Sequence, residues 1–140
     1  MIIVDTSVWI DHLHQANPEL QAALESNQVV AHAMVIEELA AGSLKSRGQV
    51  VAALAKLPAC QVLTHAEYLQ FVASERLWGK GLGPTDIHLL GSARITGHSL
   101  WTRDKRLTAA AQELAAGPAG QFARRQGAQG PALGAAGQGV

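Results

Sequence analysis

Two kinds of apolar run alternate along this chain. Short β-branched stretches are separated by longer ones whose apolar residues recur at helical spacing. Ile2-Ile3-Val4 is the first short run and predicts a buried strand over residues 2–5. Residues 6–14 carry Val8, Trp9 and Leu13 as a short helix, with Thr6 or Ser7 expected as its cap. Pro18 stands where helices start, and a second helix is expected through Leu20–Leu24. Gln28 to Ala31 reads as a brief strand. From Ala33 onward, Val35, Ile36 and Leu39 mark a third helix that Gly42 should stop. Residues 47–57 form another amphipathic segment ended by Pro58, and Cys60 to Leu63 reads as a third strand. Glu67 to Trp78 is helical in pattern, and Gly79 to Pro84 is a loop by composition. Thr85 is expected to cap a helix running to about Ile95. A strand over Ser99 to Thr102 and a helix over residues 104–115 complete the pattern.

Strands separated by helical segments predict an α/β fold with a central, mainly parallel sheet flanked by helices. The pattern stops at Gly117. Residues 117–140 are rich in Gly, Ala, Gln and Pro, with little apolar bulk beyond Phe122 and Leu133. The expected organisation is one domain over 1–116 and a low-complexity tail over 117–140. That tail buries too little to offset its ordering entropy, so it is expected to be disordered and dispensable for chemistry.

Charge changes this picture only modestly. The 140 residues carry 11 basic and 11 acidic side chains, for zero formal net charge. Arg124 and Arg125 are the only charges after Glu113, so residues 1–116 hold 9 basic and 11 acidic groups, a net of −2. Such a body attracts cations and would bind a polyanion only through a local basic rim or a metal bridge. The single Cys60 excludes an internal disulfide and a multi-cysteine metal site. The apolar start is too short for a secretory leader and is broken by Asp5, and no apolar stretch is long enough to cross a bilayer. A cytoplasmic protein without membrane attachment is therefore expected.

Candidate chemistry lies in four acids. Asp5 and Asp104 directly follow strands expected from the pattern, while Glu38 and Asp86 lie near the start of helices. Each has an ordinary structural reading of its own. Asp5 could bond the next turn, Glu38 could be solvated like Glu37, and Asp86 could favour a helix N-terminus. Asp104 is a good N-cap. In a parallel α/β sheet, however, strand C-termini and the following helix N-termini share one edge. Four carboxylates brought there from distant segments would repel one another unless a cation sat among them. Hard oxygen ligands suit Mg²⁺ or Mn²⁺. The histidines offer no rival site. His12 and His14 point to different helix faces, and His32, His65, His88 and His98 lack zinc-site spacing. Ser7 has no nucleophile-elbow context, and the glycines at 79, 81 and 83 lack the lysine of a phosphate-binding loop.

Four segments together carry a family likeness. They are Val4-Asp5-Thr6-Ser7-Val8-Trp9-Ile10, Val35-Ile36-Glu37-Glu38-Leu39-Ala40-Ala41-Gly42, Gly83-Pro84-Thr85-Asp86-Ile87-His88-Leu89-Leu90 and Leu100-Trp101-Thr102-Arg103-Asp104. In this order and spacing, over about residues 1–115, the chain resembles the PIN-domain ribonucleases. Specifically, it is similar to the VapC-type toxins of bacterial toxin–antitoxin pairs. The resemblance implies a PIN-like fold and Mg²⁺- or Mn²⁺-dependent endonucleolytic cleavage of RNA. Asp5, Glu38, Asp86 and Asp104 would be the catalytic, metal-holding quartet. Glu38 rather than Glu37 matches because the family acid precedes the leucine. Thr6 and Thr102 match hydroxyls that orient a carboxylate or water. A homodimer and a cognate antitoxin are implied as partners. Arg94, Arg103, Lys105 and Arg106 are candidate contacts to the RNA backbone. The rivals are a catalytically weak module that binds RNA or antitoxin, and a phosphatase using Asp5 as nucleophile. The second acid of haloacid-dehalogenase-like enzymes would fall at position 7, which is Ser7.

Overall fold

Ile2, Ile3 and Val4 are all buried, as expected of a strand covered on both faces. In the computed structural model, which describes residues 1–116, they form β1 (Ile2–Val4) at the centre of a three-stranded sheet. β2 (Val29–Val30) lies on one side and β3 (Ser99–Trp101) on the other, both parallel to β1. The register pairs Ile3 with Val30 on one side and with Leu100 on the other. The remaining elements are helices: α1 (Thr6–His14), α2 (Pro18–Glu25), α3 (Ala33–Ala41), α4 (Arg47–Ala55), α5 (His65–Glu75), α6 (Pro84–Thr96) and α7 (Lys105–Ala116). The expected α/β class with a parallel sheet among helices is what forms. The tail expected to be disordered, 117–140, lies outside the described residues.

The core joins the strands to one face of each helix. Trp101, Leu89, Leu90, Leu100 and Leu107 are fully buried, and Val8, Trp9, Val35 and Leu39 pack into the same cluster. Trp78 is 61% exposed, unlike Trp9. No helix of the described residues is long and apolar enough to cross a membrane.

Four local expectations need correction. The strand expected over residues 60–63 shrinks to an isolated bridge between Ala31 and Ala59. The amide of Cys60 donates to the Ala31 carbonyl at 2.8 Å, and there the ladder ends, because Gln61 and Val62 turn to solvent. The helix expected from Glu67 begins earlier, at His65. The Thr64 hydroxyl accepts from the Glu67 amide at 3.1 Å, and Glu67 accepts from the Thr64 amide at 2.7 Å, a reciprocal cap. That helix stops at Arg76, whose φ of 56° is left-handed. α1 is capped by Asp5 rather than by Thr6 or Ser7, and α6 by Gly83 with Pro84 behind it rather than by Thr85. Each of the last two shifts hands a capping bond to an acid of the quartet.

Candidate active site

β1 and β3 end side by side, and the chain leaving them builds one half of the site. The Asp5 amide donates to the Trp101 carbonyl at 2.9 Å, which carries the β1–β3 pairing one residue past the strand. Asp5 is 5% exposed. Its Oδ1 accepts from the Thr6 amide at 2.8 Å. Its Oδ2 receives two hydroxyls, Thr102 at 2.6 Å and Ser7 at 2.9 Å. These hydroxyls are held in turn: Thr102 accepts from the Asp104 amide at 3.0 Å and Ser7 from the Arg103 amide at 3.1 Å. A buried carboxylate thus staples the start of α1 to the end of β3.

Glu38 is exposed on α3, and its Oε1 accepts the Thr6 hydroxyl at 2.6 Å. Thr6 therefore bridges two acids, its amide on Asp5 and its hydroxyl on Glu38. Asp86 is half-buried in the first turn of α6, and its Oδ2 accepts from the Gly83 amide at 3.0 Å. Asp104 accepts from the Arg106 and Leu107 amides at 2.8 and 3.0 Å through one oxygen, Oδ1. The capping reading of Asp104 is thus realised, and its second oxygen is left over.

The four acids are electrostatically linked through Asp86. Burial pushes the Asp5 carboxyl above its ordinary value, the bonds from Thr102, Ser7 and Thr6 oppose this, and the charge of Glu38 adds to it. Asp86 is also raised, first by burial. The Gly83 bond lowers it, and Asp5, Asp104 and Glu38 each raise it further. None of the ion pairs among the described residues involves these acids. Asp86 lies in the field of three other carboxylates, and the four have no ion-pair partner among the described residues; they fit a divalent cation in charge and in donor type. Among the described residues, however, no three of them stand close enough to form a ready-made metal group.

The basic candidates divide. Lys105 and Arg106 are exposed in the first turn of α7, directly after Asp104. Arg103 sits between Thr102 and Asp104 with its Nε 2.7 Å from Asp11. Arg94 does not belong with them. It lies in the last turn of α6, while Asp86 lies in the first, and it pairs with Glu75 at 3.3 Å and covers the Phe71 ring. It is a cation that joins α5 to α6, at the opposite end of α6 from Asp86.

Ser7 is the site residue that sequence reasoning passed over. The available signal was a hydroxyl two positions after a strand-end acid, facing back across the first helical turn. Thr102 was singled out, and its burial gives a sharp test. Thr102→Val keeps the shape but strands the Asp104 amide and removes the shortest bond to Asp5. The expected result is a loss of about 1–3 kcal/mol of stability. Any ion affinity or cleavage should fall about 10- to 100-fold. Thermal unfolding and rate assays on one preparation check both.

Comparison with known proteins agrees with this architecture. A family model for the PIN domain matches residues 2–113. The protein named Ribonuclease VapC32, from Mycobacterium tuberculosis strain CDC 1551 / Oshkosh, is 52% identical over 114 residues. The match covers 81% of this chain and 92% of that relative. The protein of the same name from strain ATCC 25618 / H37Rv matches to the same extent.

Proposed function

This chain belongs to the PIN domain family, in its VapC-type ribonuclease branch, and we propose that it is a divalent-metal-dependent endoribonuclease acting as the toxin of a toxin–antitoxin pair. The observation that carries the reading is that Asp86 lies in the field of Asp5, Asp104 and Glu38, and that none of the four has an ion-pair partner among the described residues. Asp5, Glu38 and Asp86 would hold Mg²⁺ or Mn²⁺ directly or through its water shell, and Asp104 would complete the set. When bound, such an ion activates water for attack on phosphorus and offsets charge on the phosphate oxygens.

The chain's own residues do the rest. Thr102 and Ser7 aim Asp5 and favour its charged form against the effect of burial, since both donate their protons to its Oδ2. Thr6 sets Glu38 against Asp5. The Asp104 cap fixes the first turn of α7, so Lys105 and Arg106 stand at the site's rim, where phosphates of an RNA strand would pass. A net-acidic domain needs such a local rim to bind RNA at all. The cytoplasm, a homodimer and a cognate antitoxin complete the proposal. They are what the resemblance to VapC-type toxins implies.

One observation favours a second reading, a catalytically weak module that binds RNA or antitoxin: the absence of a ready-made metal group among the described residues. Incubating antitoxin-free protein with total cellular RNA, in Mg²⁺ and in EDTA, separates the two. Discrete fragments in Mg²⁺, none in EDTA, and recovery with excess Mg²⁺ are expected. Intact RNA in every lane from a folded, Mg²⁺-binding protein would overturn the enzyme in favour of the binding module.

A further inference from the structure

Glu38 belongs to α3 and Asp86 to α6, so the site is only as well defined as the packing of those helices. A buried side-chain bond crosses between them. His32 and Ser92 are buried, and Nε2 of one lies 2.8 Å from Oγ of the other, 60 residues apart in sequence. The second ring nitrogen fixes the direction of this bond. Nδ1 of His32 accepts from the Met34 amide at 3.1 Å, so it carries the lone pair. The proton then sits on Nε2 and is donated to Ser92. Burial is the main cause that holds the His32 pKa down, to about 4, with the charge of His88 adding to it. The ring is therefore neutral, and the bond intact, near neutral pH.

Capping α3 does not require an imidazole. Asn, Asp, Ser or Thr would serve the Met34 amide as well, and none of them reaches across to a second helix. The tie also stands in a simple relation to the acids. Glu38 lies six residues after His32 on one helix, and Asp86 lies six residues before Ser92 on the other. Each acid is thus about 9 Å along its own helix from the crossing bond. The charge of Glu38 adds to the others that raise the Asp86 carboxyl, so the two acids repel across these helices. Apolar packing is non-directional and resists sliding weakly, whereas a buried hydrogen bond is directional and fixes register.

We propose that His32 and Ser92 are positioning residues whose hydrogen bond locks α3 to α6 and so sets the spacing of Glu38 and Asp86 for a divalent ion. This rests on the metal-dependent reading of the site.

Full-length wild type, Ser92→Ala and His32→Asn are compared by thermal unfolding in EDTA and across a Mn²⁺ series, with ion affinity read from the rise in Tm. Ser92→Ala keeps the imidazole cap and loses the tie. His32→Asn keeps a cap with a side chain too short for Ser92. Both variants are expected to fold and to bind Mn²⁺ about 10-fold more weakly than wild type. Lower Tm in EDTA with unchanged Mn²⁺ affinity would mean that the bond serves stability alone, and would overturn the proposal. A wild type indifferent to both Mn²⁺ and Mg²⁺ would overturn the metal reading itself, and the positioning role with it. Should His32→Asn fail to fold, Ser92→Ala decides, because its cap is untouched.

Discussion

Asp5→Asn is expected to reduce RNA cleavage by at least about 100-fold, the scale seen when one preorganised electrostatic group is removed from an active site. The protein should remain folded but lose stability. Thr102 and Ser7 each accept a backbone amide and donate their only proton to Asp5 Oδ2. An asparagine that keeps its carbonyl on the Thr6 amide must turn its NH₂ towards these two hydroxyls, whose protons then lack an acceptor. Turned the other way, its NH₂ faces the Thr6 amide, donor against donor. Either orientation strands polar groups at a buried position, at a cost of about 1–3 kcal/mol. Relief of the burial penalty on ionised Asp5 offsets part of that cost. Cleavage rates over a Mg²⁺ series, with thermal melts of the same samples, check both parts. Wild-type activity at saturating Mg²⁺ would remove Asp5 from the metal site.

Much of this architecture is local, and most of the helices are legible in the sequence for that reason. The helical run over residues 6–14 forms as α1 (Thr6–His14) because its apolar spacing and the acid before it are contained in ten consecutive residues. Asp5 and Asp104 become candidates by the same means, since a strand-end acid before a helix is a short-range signal. The failures involve long-range bonds. Ser7 acquires its role from the Arg103 amide, 96 residues away, and His32 from Ser92, 60 residues away. No periodicity records such partners. Arg94 is an RNA-contact candidate in the sequence because its charge is visible there, whereas the facing Glu75 is not. The strand expected over residues 60–63 failed for a related reason. An apolar run can begin a parallel pairing, but whether it continues depends on the neighbour, and β2 is only Val29–Val30 long. The Thr64–Glu67 cap is different, being a local signature that was present and overlooked.

Asp86→Asn is expected to do something Asp5→Asn does not: abolish function while making the ion-free protein more stable. Asp86 has one bond that favours its charge, from the Gly83 amide, and an asparagine carbonyl can still accept that bond, though more weakly. Every other influence opposes ionisation, burial first and then the charges of Asp5, Asp104 and Glu38. Its folded pKa is therefore raised above the ordinary 3.8, so the native state binds this proton more tightly than the unfolded chain. The ionised form costs stability above the folded pKa, and the cost fades as pH falls through that value. In EDTA at pH 7 the variant should thus exceed wild type by about 0.5–2 kcal/mol, the usual gain when a strained functional group is neutralised. The gap should close as pH falls below 3.8, where Asp86 is protonated in both states. Saturating Mn²⁺ should reverse the order, because wild type gains ion-binding energy that the variant has largely lost. Cleavage by the variant should fall at least about 100-fold. Paired melts in EDTA and Mn²⁺ between neutral and acid pH decide the matter. A variant less stable than wild type in EDTA at pH 7 would mean that Asp86 is held by favourable contacts, and that the acids do not form a repulsive cluster awaiting a cation.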